Sequence, residues 1–137
     1  MFTITARGIY GLSALIELTP SYNQKSRQIR EIANKHNIPQ HYLEQILLVL
    51  RKAGIVESYR GAHGGYALAR HPSQIQVLEV MELLEGKLAV LSGQQKDNTL
   101  NFFWNAMEET IRTFLNRDLE DIALEMQAQQ QQISYSI

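Results

Sequence analysis

The chain has 137 residues, of which 45% are hydrophobic, so it suits one domain or one domain with an appended element. It contains no cysteine, which excludes a disulfide framework, a thiol nucleophile, a zinc ribbon and an iron–sulfur cluster held by its own thiolates. Residues 1–71 hold nine Lys or Arg against four Asp or Glu (+5), and residues 72–137 hold four against ten (−6), so the net charge of −1 is a cancellation. A basic half joined to an acidic half favours a polyanion-binding module fused to a part with another task.

No hydrophobic run in the sequence is long enough to cross a membrane. The longest, from Ile46 to Leu50, has five residues, against the roughly 20 that a membrane-spanning helix needs. Polar residues interrupt the stretch from Ile9 to Leu18 and no small-residue cleavage site follows it, so we expect no signal peptide. We therefore expect a cytoplasmic protein that makes no membrane contact.

Two helices are predicted in the first third of the chain. Apolar residues recur at helical spacing after Thr5 until Pro20 interrupts them, which predicts a first helix over about residues 6–19. A polar loop follows. The next apolar stripe is two to three turns long and ends before Asn37, a residue type that accepts the left-handed conformation at a helix end. This stripe comprises Ile29, Ile32 and Ala33.

The helical pattern is strongest in the next segment. Pro39 suits the first turn of a third helix, and Gly54 suits the position just past its end. Two short helices joined by about four residues form a helix-turn-helix unit. If the apolar stripe faces the core, His41, Gln45 and Lys52 point to the opposite side. The stripe has the spacing i, i+3, i+4, i+7 and comprises Leu43, Ile46, Leu47 and Leu50.

A β-hairpin is predicted directly after the third helix. The strand-like segments 55–59 and 66–69 flank the connection 60–65, whose three glycines permit the positive φ values of a tight turn. A hairpin after a helix-turn-helix unit makes a winged helix, and Pro72 closes it. We therefore predict a winged helix-turn-helix region at 1–72.

The rest of the chain, residues 73–137, is predicted to be helical, so the fold class is mainly α with a small β-hairpin. A helix begins near Gln76 and stops at Gly86, and the polar loop 87–98 follows. A last short helix begins near Leu119, and Gln127–Gln132 is expected to be a fraying, solvated end. Between the loop and that end, one continuous apolar face over about five turns comprises Leu100, Phe103, Trp104, Met107, Ile111, Phe114, Leu115 and Leu119. Because little chain remains to cover these side chains, a symmetric partner is favoured.

Five short motifs together resemble one known family. They are Arg7-Gly8-x-Tyr10, Glu31-Ile32-Ala33, Tyr42-Leu43-Glu44-Gln45-Ile46-Leu47, Leu50-Arg51-Lys52-Ala53-Gly54-Ile55-Val56 and Arg60-Gly61-x-x-Gly64-Gly65-Tyr66-x-Leu68-Ala69. By these motifs the chain resembles the Rrf2 family of bacterial transcription regulators over residues 3 to about 126. The resemblance implies a winged helix-turn-helix followed by a long helix through which two chains dimerise. It also implies transcriptional control, with repression the favoured sign, by binding double-stranded palindromic operator DNA.

The resemblance implies a set of DNA contacts as well. The start of the third helix would enter the major groove, where amide and imidazole groups bond base edges. Thr5 and Arg7 match family positions near phosphates, and Arg60 matches an arginine that reaches the minor groove, with Gly61 and His63 beside it. The family positions in the third helix that touch DNA are Gln40, His41, Tyr42, Glu44 and Gln45. Tyr42 lies between the two faces of this helix and is also consistent with a partly buried core residue.

The chain departs from the cluster-binding members of the family around the loop 87–98. Two positions at which those relatives place cluster ligands are Asn98 and Asn101 here, and carboxamides are poor ligands for iron in a cluster. We therefore expect neither an iron–sulfur cluster nor another metal or cofactor. The loop 87–98 is then the natural place for a regulatory protein or a small-molecule effector to act.

Two functions of different classes remain open. The first is a homodimeric, sequence-specific DNA-binding regulator, which the +5 half and Arg60 favour. The second is a winged-helix module that binds protein rather than DNA, with Leu48 and the aromatic stripe as its surface. An enzyme is disfavoured, because the sequence shows no carboxylate pair, no nucleophile with a base and no phosphate-cradling loop that leads into a helix.

Overall fold

The computed structural model describes residues 3–91, 93 and 98–136. It confirms the predicted fold class, with six α-helices and one antiparallel hairpin in the described part. Nowhere in these ranges is a helix both long and apolar enough for a bilayer crossing. In chain order the elements are α1 (Ala6–Leu18), α2 (Ile29–His36), α3 (Gln40–Lys52), β1 (Val56–Tyr59), β2 (Gly65–Leu68), α4 (Val77–Glu85), α5 (Asn101–Phe114) and α6 (Leu119–Ser136).

One apolar core joins α1, α3 and α4 and holds the winged helix together. The stripe predicted for α3 faces this core, and all four of its residues are buried. Leu15 and Leu18 of α1 and Val80 of α4 pack in the same cluster. Burial of one such leucine or valine contributes about 1.5–3 kcal/mol, so these residues are the main source of stability.

The helix ends follow the predicted chemistry with one small difference. Asn37 closes α2 with φ of 56° and ψ of 43°, the left-handed conformation predicted for it. Gly54 follows α3 with φ of +76°, which explains why a glycine stands there. Pro39, predicted in the first turn of α3, instead precedes that helix as its N-cap.

The apolar face predicted after the loop 87–98 extends to Leu119, but α5 carries it only as far as Phe114, and the last helix begins at Leu119 as predicted. The chain then turns back onto the start of α4. The N–H of Val77 donates to the carbonyl of Arg117 (2.7 Å), and the N–H of Leu78 donates to the carbonyl of Leu115 (3.1 Å). Donors in the first turn of a helix have no acceptor within that helix, so this pairing satisfies α4 and ends α5.

Leu119 consequently leaves the predicted surface stripe and enters the core. Its side chain is 0% exposed, and its N–H donates to the carbonyl of Ile75 (3.1 Å). Leu119 also opens α6, which is much longer than the predicted short helix. The run Gln127–Gln132 is exposed as predicted, and it is helical, within α6.

Leu119→Ala tests this correction. We expect it to lower the free energy of unfolding by about 2–5 kcal/mol, because it leaves a cavity in the core. Leu124→Ala, in the same helix at a side chain that is 59% exposed, is the matched control and should change it by less than about 0.5 kcal/mol. Urea unfolding followed by circular dichroism measures both. Equal effects of the two substitutions would contradict the buried position of Leu119.

Candidate nucleic-acid interface

Helix α3 presents its predicted DNA-contact residues on the face opposite the buried stripe. The amide of Gln45 lies 3.3 Å from the Nε2 atom of His41, and the Nδ1 atom of His41 lies 3.8 Å from a carboxylate oxygen of Glu44. Amide, imidazole and carboxylate groups therefore form one polar surface that can both donate and accept hydrogen bonds. The exposed residues of this face are Gln40, His41, Tyr42, Glu44, Gln45 and Leu48.

Tyr42 lies at the border of this face and is not a core residue. It is exposed, and its ring packs edge to face against Tyr10 of α1, with the ring centroids 5.8 Å apart. Such aromatic pairs contribute about 0.5–1.5 kcal/mol beyond the area that they bury. Tyr10 thus orients the tyrosine ring at the start of α3.

The hairpin of β1 and β2, with its connection 60–64, is called the wing. An open crevice of about 490 Å³ lies where α2, α3 and the wing meet. Gln40 of α3 lines it together with Arg60 and Gly61 of the wing, so the structure brings together three of the predicted residues. Arg30 of α2 lines the same crevice, although the sequence did not single it out. No spacing within α2 marks this arginine, because its place in the crevice depends on how the wing folds over the start of that helix.

The charges of Arg30 and Arg60 are available to a ligand. Both side chains are exposed, and neither forms an ion pair within the described ranges. Two uncompensated guanidinium groups beside an open crevice favour an anion, and phosphate oxygens accept hydrogen bonds from guanidinium in pairs. The crevice is therefore suited to a nucleic-acid backbone.

Backbone contacts attach the wing to the segment before α2. The N–H of Arg27 donates to the carbonyl of Tyr66, and the N–H of Tyr66 donates to the carbonyl of Arg27, both at 2.8 Å. Gly65 has φ of +143°, and a Cβ atom there would lie 2.2 Å from the Arg27 carbonyl oxygen, so only glycine permits this approach. The hydroxyl of Ser26 donates to the carbonyl of His63 (2.6 Å). The tip and the second strand of the wing are both held.

The side chain of Arg27 lies at the centre of a charged cluster that joins α1 and α2. Its guanidinium donates to Glu17 of α1 (3.1 Å) and to Glu31 of α2 (2.5 Å). Glu17 also contacts Lys35 and His36, each at 2.9 Å. We call these five residues the Arg27 cluster. Burial would by itself raise the pKa of Glu17, but hydrogen bonds from Lys35, His36 and Arg27 outweigh it and lower the pKa to about 2.

The start of α1 is held by an acidic residue of α4. Both the N–H and the hydroxyl of Thr5 donate to one carboxylate oxygen of Glu85, at 2.8 and 2.7 Å, and the N–H of Gly8 donates to it at 3.2 Å. The hydroxyl bond from Thr5 is the largest favourable cause of the lowered pKa of Glu85. The donors of Thr5 are thus used within the chain, which leaves Arg7 as the cationic donor at this end of α1.

Helix α5 contributes no buried residue, although its predicted apolar stripe is present as far as Leu115. Phe103 is 50% exposed and Phe114 is 71% exposed. Ile111 and Leu115 line an apolar groove of about 910 Å³ that α1, α4 and α6 also border. An apolar surface of this extent is typical of an interaction site.

A sequence model of the Rrf2 family, described as iron-dependent transcriptional regulators, matches residues 4–132. The chain belongs to the Rrf2 family. The transcriptional regulator CymR of Bacillus subtilis is 33% identical over 122 residues, which cover 88% of each chain. The transcriptional regulator IscR of Cereibacter sphaeroides is 31% identical over 132 residues, which cover 87% of this chain and 85% of the relative.

Solved structures of Rrf2 proteins share this fold. The structure of CymR of B. subtilis, described as the global cysteine regulator of that organism, has a TM-score of 0.84 at 33% identity and covers 91% of this chain and 98% of its own. The structure of IscR of T. potens has a TM-score of 0.75 at 32% identity and covers 91% and 88%. The chain is therefore a DNA-binding transcription regulator of the Rrf2 family and not an enzyme, as predicted.

The residues of this Rrf2 protein do not fit an iron–sulfur cluster, despite the family description. The sequence has no cysteine, and the amide oxygen of Asn98 accepts the N–H of Leu100 (2.8 Å). Over 3–91, 93 and 98–136, no three His, Asp or Glu side chains come together as metal ligands. Residues 92 and 94–97 of the predicted effector loop lie outside the described residues. At the start of that loop, the N–H of Leu88 donates to Glu82 (2.8 Å).

The lowered pKa of Glu17 predicts a pH dependence of stability. A carboxylate whose pKa is lower in the folded chain stabilises it fully above its unfolded pKa of 4.5, and this contribution is lost as the pH falls towards 2. We expect Glu17→Gln to be less stable than the wild type by about 1–3 kcal/mol at pH 7 and to converge with it near pH 2. Urea unfolding between pH 7 and pH 2.5 measures this difference, with exposed Glu109→Gln as the control. A difference that stays constant across this range would contradict the ion pairing of Glu17.

Proposed function

We propose that the chain is a cytoplasmic homodimeric repressor that binds a palindromic operator sequence-specifically and without an iron–sulfur cluster. The observation that carries this proposal is the crevice at which Gln40 of α3 and Arg60 of the wing meet. A recognition helix enters the major groove by its N-terminal residues, and an arginine beside it suits the negative potential of a narrow minor groove. Arg30 adds a phosphate contact between them.

The exposed face of α3 supplies the groups that read bases. The amide of Gln45 can bond adenine with two hydrogen bonds, and His41 beside it can donate to or accept from a base edge. Leu48 is exposed on the same face, where an apolar side chain can contact the methyl group of thymine. Gly61 and His63 of the wing and Arg7 of α1 contact the sugar-phosphate backbone of the DNA. Thr5 orients the start of α1.

Two copies are proposed to dimerise through α5. Each copy then presents one α3, and helix-turn-helix dimers of this kind bind half-sites one helical turn, about 34 Å, apart. The interface would extend into the apolar groove, because Ile111 and Leu115 belong to both surfaces. Its residues are Leu100, Phe103, Trp104, Met107, Ile111, Phe114 and Leu115.

Residues 1–72 are proposed to bind DNA, and residues 73–137 to dimerise and sense. The two parts differ in their proposed tasks but share one hydrophobic core, because Leu119 packs in the same core as α1 and α3. The opposite net charges of the two parts suit these tasks: the basic part attracts phosphates, and the acidic part limits non-specific attraction to DNA. The signal is proposed to be a regulatory protein or a small molecule that acts at the loop 87–98.

A second candidate function is a winged-helix module that binds protein. The exposure of Leu48 on the outer face of α3 favours it. The two functions differ in their dependence on salt, since each phosphate contact that a DNA complex makes adds about 0.9 to the log–log slope of affinity against salt. A leucine-centred protein contact has no comparable slope.

Arg60→Ala tests the DNA-binding proposal. The probe is a duplex that the wild-type chain selects from a random library, and affinity is measured by mobility shift from 50 to 300 mM KCl. We expect Arg60→Ala to weaken binding by about 1–2 kcal/mol and to reduce the salt slope by about one. Lys35→Ala removes the same charge away from the crevice, so it should bind within about twofold of the wild type. If the wild type selects no duplex whose binding weakens with salt, DNA binding is contradicted as the function and the protein-binding module is favoured.

Met107→Asp tests the dimer. A carboxylate at the centre of the α5 stripe would be buried without a partner, at a cost of several kcal/mol, so we expect a monomer with poor operator affinity. Asn105→Asp adds the same charge on the opposite face of α5 and should remain dimeric. Light scattering after size-exclusion chromatography measures both masses. A Met107→Asp variant that stays dimeric would place the interface elsewhere.

A further inference from the structure

We infer that Arg27 is a positioning residue for operator binding: it holds the wing at the orientation in which Arg60 reaches DNA, without touching DNA itself. This inference rests on the proposed function. It assigns a role to a residue that lies outside every DNA-contact position considered above. The argument follows from the contacts of its backbone, the contacts of its side chain and the small size of the wing.

The wing cannot fix its own orientation. It consists of two strands of four residues each, Val56–Tyr59 and Gly65–Leu68, and an isolated two-stranded hairpin is at best marginally stable in water. Arg60 stands at the end of β1, where the turn begins. A mobile turn would have to be ordered when DNA binds, and ordering a side chain of this length costs affinity.

The backbone of Arg27 supplies the missing third partner of the wing. Its N–H and its carbonyl both bond Tyr66 of β2, on the edge that β1 leaves open. Gly65 lets the two backbones approach this closely. The neighbouring bond from Ser26 to the carbonyl of His63 fixes the turn itself. Val56 and Leu68 attach the base of the wing to the core, and residues 26 and 27 hold its open edge and its turn, where Arg60 lies.

The side chain of Arg27 determines the placement of residues 26 and 27. Its guanidinium bridges Glu17 of α1 and Glu31 of α2, so the segment before α2 is tied to both helices at once. It is only 16% exposed and two carboxylates already occupy it, which leaves no free donor fork for a phosphate. Lys35 offers a natural comparison, because it contacts the same Glu17 but is 61% exposed, and among the described residues it forms no hydrogen bond or ion pair with the wing.

A double-mutant cycle separates positioning from direct contact and from loss of folding. Arg27→Met replaces the aliphatic part of the side chain and keeps the backbone bonds but removes the two ion pairs. We expect Arg27→Met to weaken binding of the selected duplex about tenfold and to reduce the salt slope by about one, because Arg60 no longer reaches DNA. In the Arg60→Ala background the same substitution should change affinity by less than about twofold and leave the slope unchanged.

Two controls accompany the cycle. Lys35→Met removes a cationic partner of the same carboxylate and should bind like the wild type in both backgrounds. Arg27→Lys keeps the charge but lacks the planar fork that bridges two carboxylates, so its loss of affinity should lie between those of the wild type and Arg27→Met. Thermal unfolding of each variant verifies that the chain is folded at the assay temperature, and Arg27→Lys serves as the test if Arg27→Met is not.

The outcomes distinguish this inference from the proposed function. Equal losses from the Arg27 substitution with and without Arg60 would show that Arg27 acts independently of the wing arginine and would overturn the inference. Wild-type affinity in the Arg27 variants would overturn it as well. If the wild-type chain selects no duplex at all, the proposed function fails first, and that result is recognisable before any variant is made.

Discussion

The start of α4 cannot satisfy its own backbone donors, and much of the C-terminal half follows from how the chain solves this problem. The carbonyls of Leu115 and Arg117 accept the N–H groups of Leu78 and Val77. After this pairing α5 has ended and the chain turns, so Leu119 is buried in the core. An α5 that ends there has no core of its own to cover its aromatic side chains, so the same constraint that completes α4 leaves the proposed dimer surface open.

A second long-range backbone contact organises the half that is proposed to bind DNA in a comparable way. Arg27 and Tyr66 lie far apart in sequence, yet each donates to the other. This pairing and the core packing of Val56 and Leu68 together attach the wing, which is too small to be rigid by itself, to the helices. In both halves a short irregular segment gains its structure from an exposed helix end or strand edge that needs hydrogen-bond partners. The proposed DNA-binding and dimer surfaces adjoin these two segments.

Most of the winged helix was predictable, because its signals are local. The stripe from Leu43 to Leu50, the left-handed Asn37 and the glycines after Arg60 each specify a conformation within a few residues of themselves. The same locality made the face of α3 predictable, since a buried stripe determines which side chains point outward. Arg30 was missed because its relevance depends on the wing folding over the start of α2, which no spacing within α2 records. The engagement of Thr5 by Glu85 was missed for the same reason.

The sequence by itself determined the winged helix-turn-helix, the basic character of that half, the family resemblance and the absence of thiolate ligands, because composition, periodicity and motif spacing are properties of the chain alone. Only the tertiary structure decided that Leu119 is buried in the core. The apolar spacing continues unbroken from Leu115 to Leu119, so periodicity assigns Leu119 to the same outward stripe as Leu115. The N–H groups of Val77 and Leu78 have no acceptor within α4. They lie about 40 residues away in sequence and donate to the carbonyls of Arg117 and Leu115. Periodicity reports which side chains need burial, but it does not report which distant backbone groups need partners.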